Sequence, residues 1–242
     1  VTMVEPDFWR DDPIRQQAFI NLGLFFEHSW TADGPVPRKD REVWQRRIAQ
    51  SFCDYVDSLH RKAADAIAAL IPARDSRMRF FVFNPLGWER SDFADISFDA
   101  DGPIRILDTT TGKDVPCQRI VRESEKRIRI WANAVPAVGY KVYEIQKNKG
   151  KPSNSCGKWE NSVLENDRYW MKVSSNGSIV RLQDKKQKNT ALTLANDGIS
   201  INQLGNAEGK IEVENDGPVS ITLRAEVSTP IQRTVRITLY RE

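Results

Sequence analysis

Apolar residues recur along this chain with one period up to residue 70 and with another afterwards. From Ile14 the apolar positions Ala18, Phe19, Leu22 and Phe25 or Phe26 step by three and four, the spacing of one helix face. Asp12-Pro13 is a helix start, with Asp as N-cap and Pro at the first helical position. The run TADGPVP, Thr31 to Pro37, breaks that helix. A second seam follows at Ile48, Phe52, Tyr55, Leu59, Ala63, Ala66 and Leu70. It predicts one amphipathic helix of roughly thirty residues, about 45 Å long, ended by Pro72. A stripe that long has to be buried, and the first helix is too short to cover it. A further helix or a β face is therefore expected against it.

After Pro72 the period becomes two. Arg79 to Asn84 reads as a buried strand that stops at Asn84-Pro85. Phe93 to Phe98 alternates, and Ile104 to Leu107 leads into a turn at Thr111 to Asp114. Arg127 to Trp131 predicts a strand with arginines outward and apolar residues inward, Trp131 among the core residues. Gly139 to Gln146 is another strand. Lys147 to Gly157 (KNKGKPSNSCG) is polar and aperiodic, and reads as a linker. Beyond it, Asn176-Gly177 between alternating runs is a strong hairpin signal. Further strands are predicted at Gly198 to Leu204, Lys210 to Val213, Val219 to Val227 and Thr234 to Tyr240. The last runs to the C-terminus with no turn after it, so its edge is expected to be paired by later strands of a longer chain.

Composition narrows the function only a little. The 242 residues carry 36 basic and 33 acidic side chains, a near balance that argues against a nucleic-acid surface. No apolar run approaches the length of a membrane-spanning helix, and the N-terminus lacks signal-peptide character. The compartment stays open. Cys53, Cys117 and Cys156 are far apart and odd in number, which speaks against a disulfide framework or a zinc knot. With only His28 and His60, the chain cannot build a site from several histidines.

Three stretches carry a resemblance. They are Leu24-Phe25-Phe26-Glu27-His28-Ser29-Trp30, Phe80 to Asp92 (FFVFNPLGWERSD), and Leu164 to Lys186 with its Asn-Gly turn. In this order they resemble glycoside hydrolase family 38, the α-mannosidases, over the region that follows that family's catalytic barrel. The resemblance implies a zinc-dependent retaining α-mannosidase acting on an α-mannoside or related carbohydrate. Nucleophile and acid/base would then lie outside this chain, on an N-terminal barrel. No pair of carboxyl groups here is assigned to the two roles a retaining glycosidase needs.

His28 is the residue the resemblance carries over, as one zinc ligand facing the barrel site. Ser29 departs from the aspartate that many members place there. The other reading of His28 is a cation closing a helix C-terminus. One histidine does not hold a four-coordinate ion, so zinc is expected in the full-length protein and not in this chain alone. His60 reads as structural. Trp30, Trp88, Trp131, Trp159 and Trp170 are candidate sugar platforms, with core or seam packing the alternative. Arg127 and Arg129 are candidate phosphate contacts or a solvated strand face. Lys185 to Lys188 reads as a solvated turn.

The expected architecture is multidomain, α then β. An antiparallel helical hairpin or bundle (1–75) precedes a small antiparallel β-sandwich (76–147). A linker (148–157) leads to the start of a larger β-sandwich (158–242). The expected function is a non-catalytic fragment of a mannosidase-like hydrolase that supports the barrel and supplies one zinc ligand. Its expected partners are that barrel and the remaining C-terminal strands of the same protein, with neither nucleic acid nor membrane. The alternative is a stand-alone carbohydrate-binding or structural module.

Overall fold

A computed structural model describes residues 7–8, 13–27, 35–72, 75–99, 101–122, 125–147, 153–187, 190–191 and 200–241. The chain divides into two compact units, Val1–Ser76 and Arg77–Glu242.

In the first unit, α1 (Arg15–Phe26) and α2 (Arg38–Ala69) form an antiparallel pair. The start of α1 is closed by the Ala18 N–H donating to the Ile14 carbonyl at 2.9 Å. Asp12, the expected cap, lies outside the described residues. Where the helices meet, α1 buries Ala18 and Asn21, and Asn21 Nδ2 donates to Ser51 Oγ at 3.2 Å.

The expected helical bundle is not there. The described residues contain two helices and four small antiparallel sheets, so strands dominate the chain. The reason lies in α1. Its Ile14, Phe19, Ile20, Phe25 and Phe26 are spread around the helix and all exposed, so it has no second apolar face to seat further helices. It spans 12 residues against the 32 of α2, and α2 fully buries only Ile48 and Tyr55. The long seam of α2 records a need for cover. Periodicity alone does not say that the cover is helical.

The second unit is two β-sandwiches. In the first, sheet I runs β1 (Arg79–Asn84), β7 (Gly139–Lys147), β3 (Ile104–Asp108), β4 (Asp114–Val115). Sheet II runs β2 (Arg90–Ser97), β6 (Glu125–Val135), β5 (Cys117–Arg122). Ile106, Tyr143 and Ile145 of sheet I meet Ile128, Ile130 and Ala132 of sheet II in one core. Phe80 stacks on Tyr143 with ring centroids 5.3 Å apart.

In the second sandwich, sheet III runs β12 (Thr190–Ala191), β11 (Ile179–Asp184), β10 (Tyr169–Val173), β9 (Val163–Glu165), β8 (Lys158–Glu160). Sheet IV runs β13 (Lys210–Asp216), β14 (Ser220–Val227), β15 (Arg233–Tyr240). Leu164, Met171 and Val173 pack on Ile221, Leu223 and Leu239. Of the strand expected at Gly198 to Leu204, residues 200–204 form only an isolated bridge, Ile201 to Ile179.

Two sequence signals become specific devices. Asn84 ends β1 by turning its amide inward, 3% exposed. Its Nδ2 donates to the carbonyls of Trp88 (2.7 Å), Val135 (3.1 Å) and Pro136 (3.1 Å), and its Oδ1 accepts from the Leu86 N–H. The Asn176-Gly177 turn joins β10 to β11. Gly177 sits at φ 78° and a Cβ there would come within 2.8 Å of Val235, so both conformation and space exclude a side chain.

Two changes test this account by urea unfolding. Ile128→Ala, at a fully buried position, is expected to cost about 3 kcal/mol. Ile231→Ala, 64% exposed, should stay within about 0.5 kcal/mol. Equal costs would mean the core does not lie between sheets I and II. Asn84→Ala strands three carbonyls around one buried position and should cost about 3 kcal/mol; a loss under about 0.5 kcal/mol would show that the amide holds nothing.

Candidate functional site

His28, the expected zinc ligand, lies outside the described residues together with Ser29 and Trp30; the description of α1 and its C-cap ends at Glu27. His60 lies on the exposed side of α2. Among the described residues no three His, Cys, Asp or Glu side chains gather into a metal-holding group. The three cysteines are free thiols. Burial pushes Cys117 and Cys156 above the usual thiol range, which keeps both protonated and poor as ligands or nucleophiles.

Among the described residues of the β unit, the buried carboxylates Glu144, Asp184 and Asp108 and the half-buried Asp95 all face cations. Glu144 lies 2.9 Å from Arg77, and Asp95 accepts two hydrogen bonds from Arg129 at 2.7 Å each. Asp184 lies 3.7 Å from Arg168, and Asp108 3.1 Å from Lys141. For Asp108, burial pushes the pKa up. The Lys141 hydrogen bond, the Thr110 and Thr111 N–H donors and the Lys141 charge outweigh it, so the carboxyl is held below its ordinary value. A glycosidase acid needs the opposite shift.

A groove of about 470 Å³ runs between α1 and α2, lined by Gln17, Arg47, Gln50, Ser51, Asp54 and Tyr55 among others. Its amides are already engaged, Gln17 donating to Asn21 and Gln50 to Asp54. Among the described residues, none of its lining side chains belongs to a metal-holding group of three His, Cys, Asp or Glu.

The most organised polar cluster lies on the outer face of sheet II. Strand alternation puts Phe93 and Asp95 of β2, Arg129 and Trp131 of β6, and Gln118 of β5 on this one face. Trp131 therefore sides with the arginines and is half-buried; it is not in the core the sequence assigned it to. Residue parity, 127, 129, 131, already contained that answer.

Arg129 is not a solvated arginine either, being only 7% exposed. Its guanidinium packs over Phe93 (5.0 Å) and Tyr240 (5.3 Å), which stack on each other at 4.3 Å. It also donates to Ser220 Oγ at 3.0 Å. Burial would lower its pKa, but the hydrogen bonds and charge of Asp95 hold it above the ordinary value. The cluster joins β2 and β6 of the first sandwich to β14 and β15 of the second. With every charge compensated, it is suited to holding and not to proton transfer.

The remaining sequence candidates separate by exposure. Trp88 is 65% exposed, and its carbonyl is held by Asn84. Trp159 packs against the second core, and Trp170 lies under Arg181 at 6.0 Å. Lys185 is not a free cation at a turn, because its Nζ bonds Glu165 (2.9 Å) and the Asn166 carbonyl (2.7 Å). Sequence reading missed Gln118 and Ser220, which sit among other polar residues in their strands, CQRIVR and SITLRAEV, and give no local signal of burial.

No family model matches the chain, and no curated protein does. Among solved structures it is similar to an alpha-mannosidase from Enterococcus faecalis V583, at 14% identity and a TM-score of 0.47. The likeness covers 75% of this chain and 27% of that one, so the chain spans about a quarter of that protein's length.

The depressed pKa of Asp108 sets a sign for acid stability. Its contribution is complete above the unfolded carboxyl value and is lost as pH falls through the lower folded value. Asp108→Asn should therefore lower the urea midpoint at neutral pH. Its deficit against wild type should shrink between about pH 5 and pH 2. A deficit that stays constant into acid would remove the Lys141 pairing as its source.

Proposed function

We propose that this chain is the supporting, non-catalytic region of a zinc-dependent retaining α-mannosidase-like hydrolase of glycoside hydrolase family 38. In this reading a catalytic barrel elsewhere in the protein carries the nucleophile and the acid/base. His28 adds one imidazole to the zinc, and the two β-sandwiches hold that assembly. The metal, when bound, supplies Lewis-acid polarisation of substrate hydroxyls. The described residues do not themselves offer a metal-binding set, so the other ligands are assigned to the barrel.

The observation that carries the reading is the order of the three matching stretches along the sequence. Two of them coincide with built features, the Asn84 lock and the Asn176-Gly177 turn. The compensated charges of the buried β-unit carboxylates support a holding role over a catalytic one. A second reading, a carbohydrate-binding module, is favoured by one observation, the exposed indole of Trp88.

Purified 242-residue chain, supplied with zinc, is expected to leave an aryl α-mannoside unhydrolysed. Turnover abolished by a chelator would place the catalytic groups here and overturn the proposal. In the full-length enzyme, His28→Ala should lose zinc and activity together, whereas unchanged zinc content would return His28 to closing a helix. A glycan screen separates the second reading: a saturable signal lost in Trp88→Ala would favour it, and a blank screen leaves the supporting role.

A further inference from the structure

Gln118 is a polar residue on a sheet face, 6% exposed, in a position where sequence pattern offers it no partner. Its side chain acts as a peptide unit for a strand of the other sandwich. Oε1 accepts from the N–H groups of Val219 and Ser220, both at 2.8 Å. Nε2 donates to the Ser220 carbonyl at 2.9 Å and to Ser220 Oγ at 3.2 Å. One primary amide thus meets both N–H groups and the Ser220 carbonyl at the entry of β14, while the Val219 carbonyl accepts from the Arg241 N–H.

The surroundings are built to admit it. Gly217 stands where a Cβ would come within 2.7 Å of Gln118 Oε1 and 2.8 Å of its Cβ and Cδ. Val219 and Ser220 are fully buried. Ile120, two residues along β5 on the same face as Gln118, is 3% exposed. The Val121 N–H, at the free edge of β5, donates to Asn215 Oδ1 at 3.2 Å. Arg129 reaches the same Ser220 hydroxyl from β6. With the Phe93 ring of β2 stacked on Tyr240, contacts from three strands of the first sandwich converge on β14 and its neighbours. All of them are made by residues outside the segment between β7 and β8.

We infer that the outer face of sheet II is an interaction surface for the second sandwich, keyed by Gln118, and that the two sandwiches stay together without the covalent connection between them. Gln118 is a positioning residue: it sets where β14 begins relative to β5. The joint is polar and closely packed, so its geometry is directional, unlike an apolar contact that could slide.

The test inserts a protease site between Ser153 and Asn154 of the full chain and cuts it after folding. The nicked protein is expected to migrate in size-exclusion chromatography as one species of the intact size at low micromolar concentration. Separation into two pieces would overturn the inference. Gln118→Ala should weaken the association of the nicked halves on the order of a hundredfold, because four hydrogen bonds at buried groups are lost together. In the uncut chain, hydrogen exchange gives a second readout that survives a poorly folding variant. Gln118→Asn, one methylene shorter, should speed exchange of the Val219 and Ser220 amides while Ile221 to Val227 stay protected. Unchanged protection at Val219 and Ser220 would show that Gln118 keys nothing.

Discussion

The β unit turns on one requirement: a guanidinium and a primary amide buried on a sheet face must have every donor met. Arg129 and Gln118 lie directly opposite one another on β6 and β5. Water cannot serve them, because both are nearly sealed. Asp95, Ser220 and the backbone at Val219 and Ser220 serve them instead. An unmet donor in that position would cost more than the net gain of a typical hydrogen bond. Once these two residues are in place, the location of the second sandwich follows from them. The stacked pair Phe93 and Tyr240 closes the same contact with apolar area and a cation–π geometry.

The same face of sheet IV changes character along its length. Near Ser220 and Tyr240 it is buried against sheet II. Further along, Arg224 pairs with Glu212 and Glu226, and Arg236 with Glu214, on the solvated part. Pairs of this exposed kind add little stability. They keep that part of the face solvated, and the junction is the part of this face that packs on another sheet. The division between contact and solvent is thus written into alternate residues of two strands.

Strands were legible where local chemistry decides them. Alternation located β2, β6, β7, β14 and β15, and the Asn176-Gly177 turn announced its hairpin because a positive φ demands glycine. That the described helices would form a pair and no bundle was not legible. A period of 3.6 in α2 reports that one face is apolar and says nothing of what lies against it. The roles of Trp131 and Arg129 were misread for a related reason. Pattern reading equates arginine with solvent and tryptophan with core, whereas both share a face that is covered by another part of the chain. A buried polar network depends on contacts 91 to 102 residues apart in sequence, and no window of residues displays it. His28 and Trp30 fall outside the described residues, so the site that rests on family resemblance stands on sequence alone.

Two of the free thiols flank this arrangement. Cys117 packs on the edge of the first core, next to Gln118 in the chain, and the Cys156 N–H donates to the Gly217 carbonyl beside the β14 entry. Both are half-buried, and burial keeps both protonated and sluggish toward alkylating reagents. The molecule therefore carries its own pair of chemical gauges. The labelling rate of Cys156 reports breathing at the joint, and that of Cys117 reports breathing of the first core. Cys53, exposed on α2, supplies the uninhibited reference rate within the same chain.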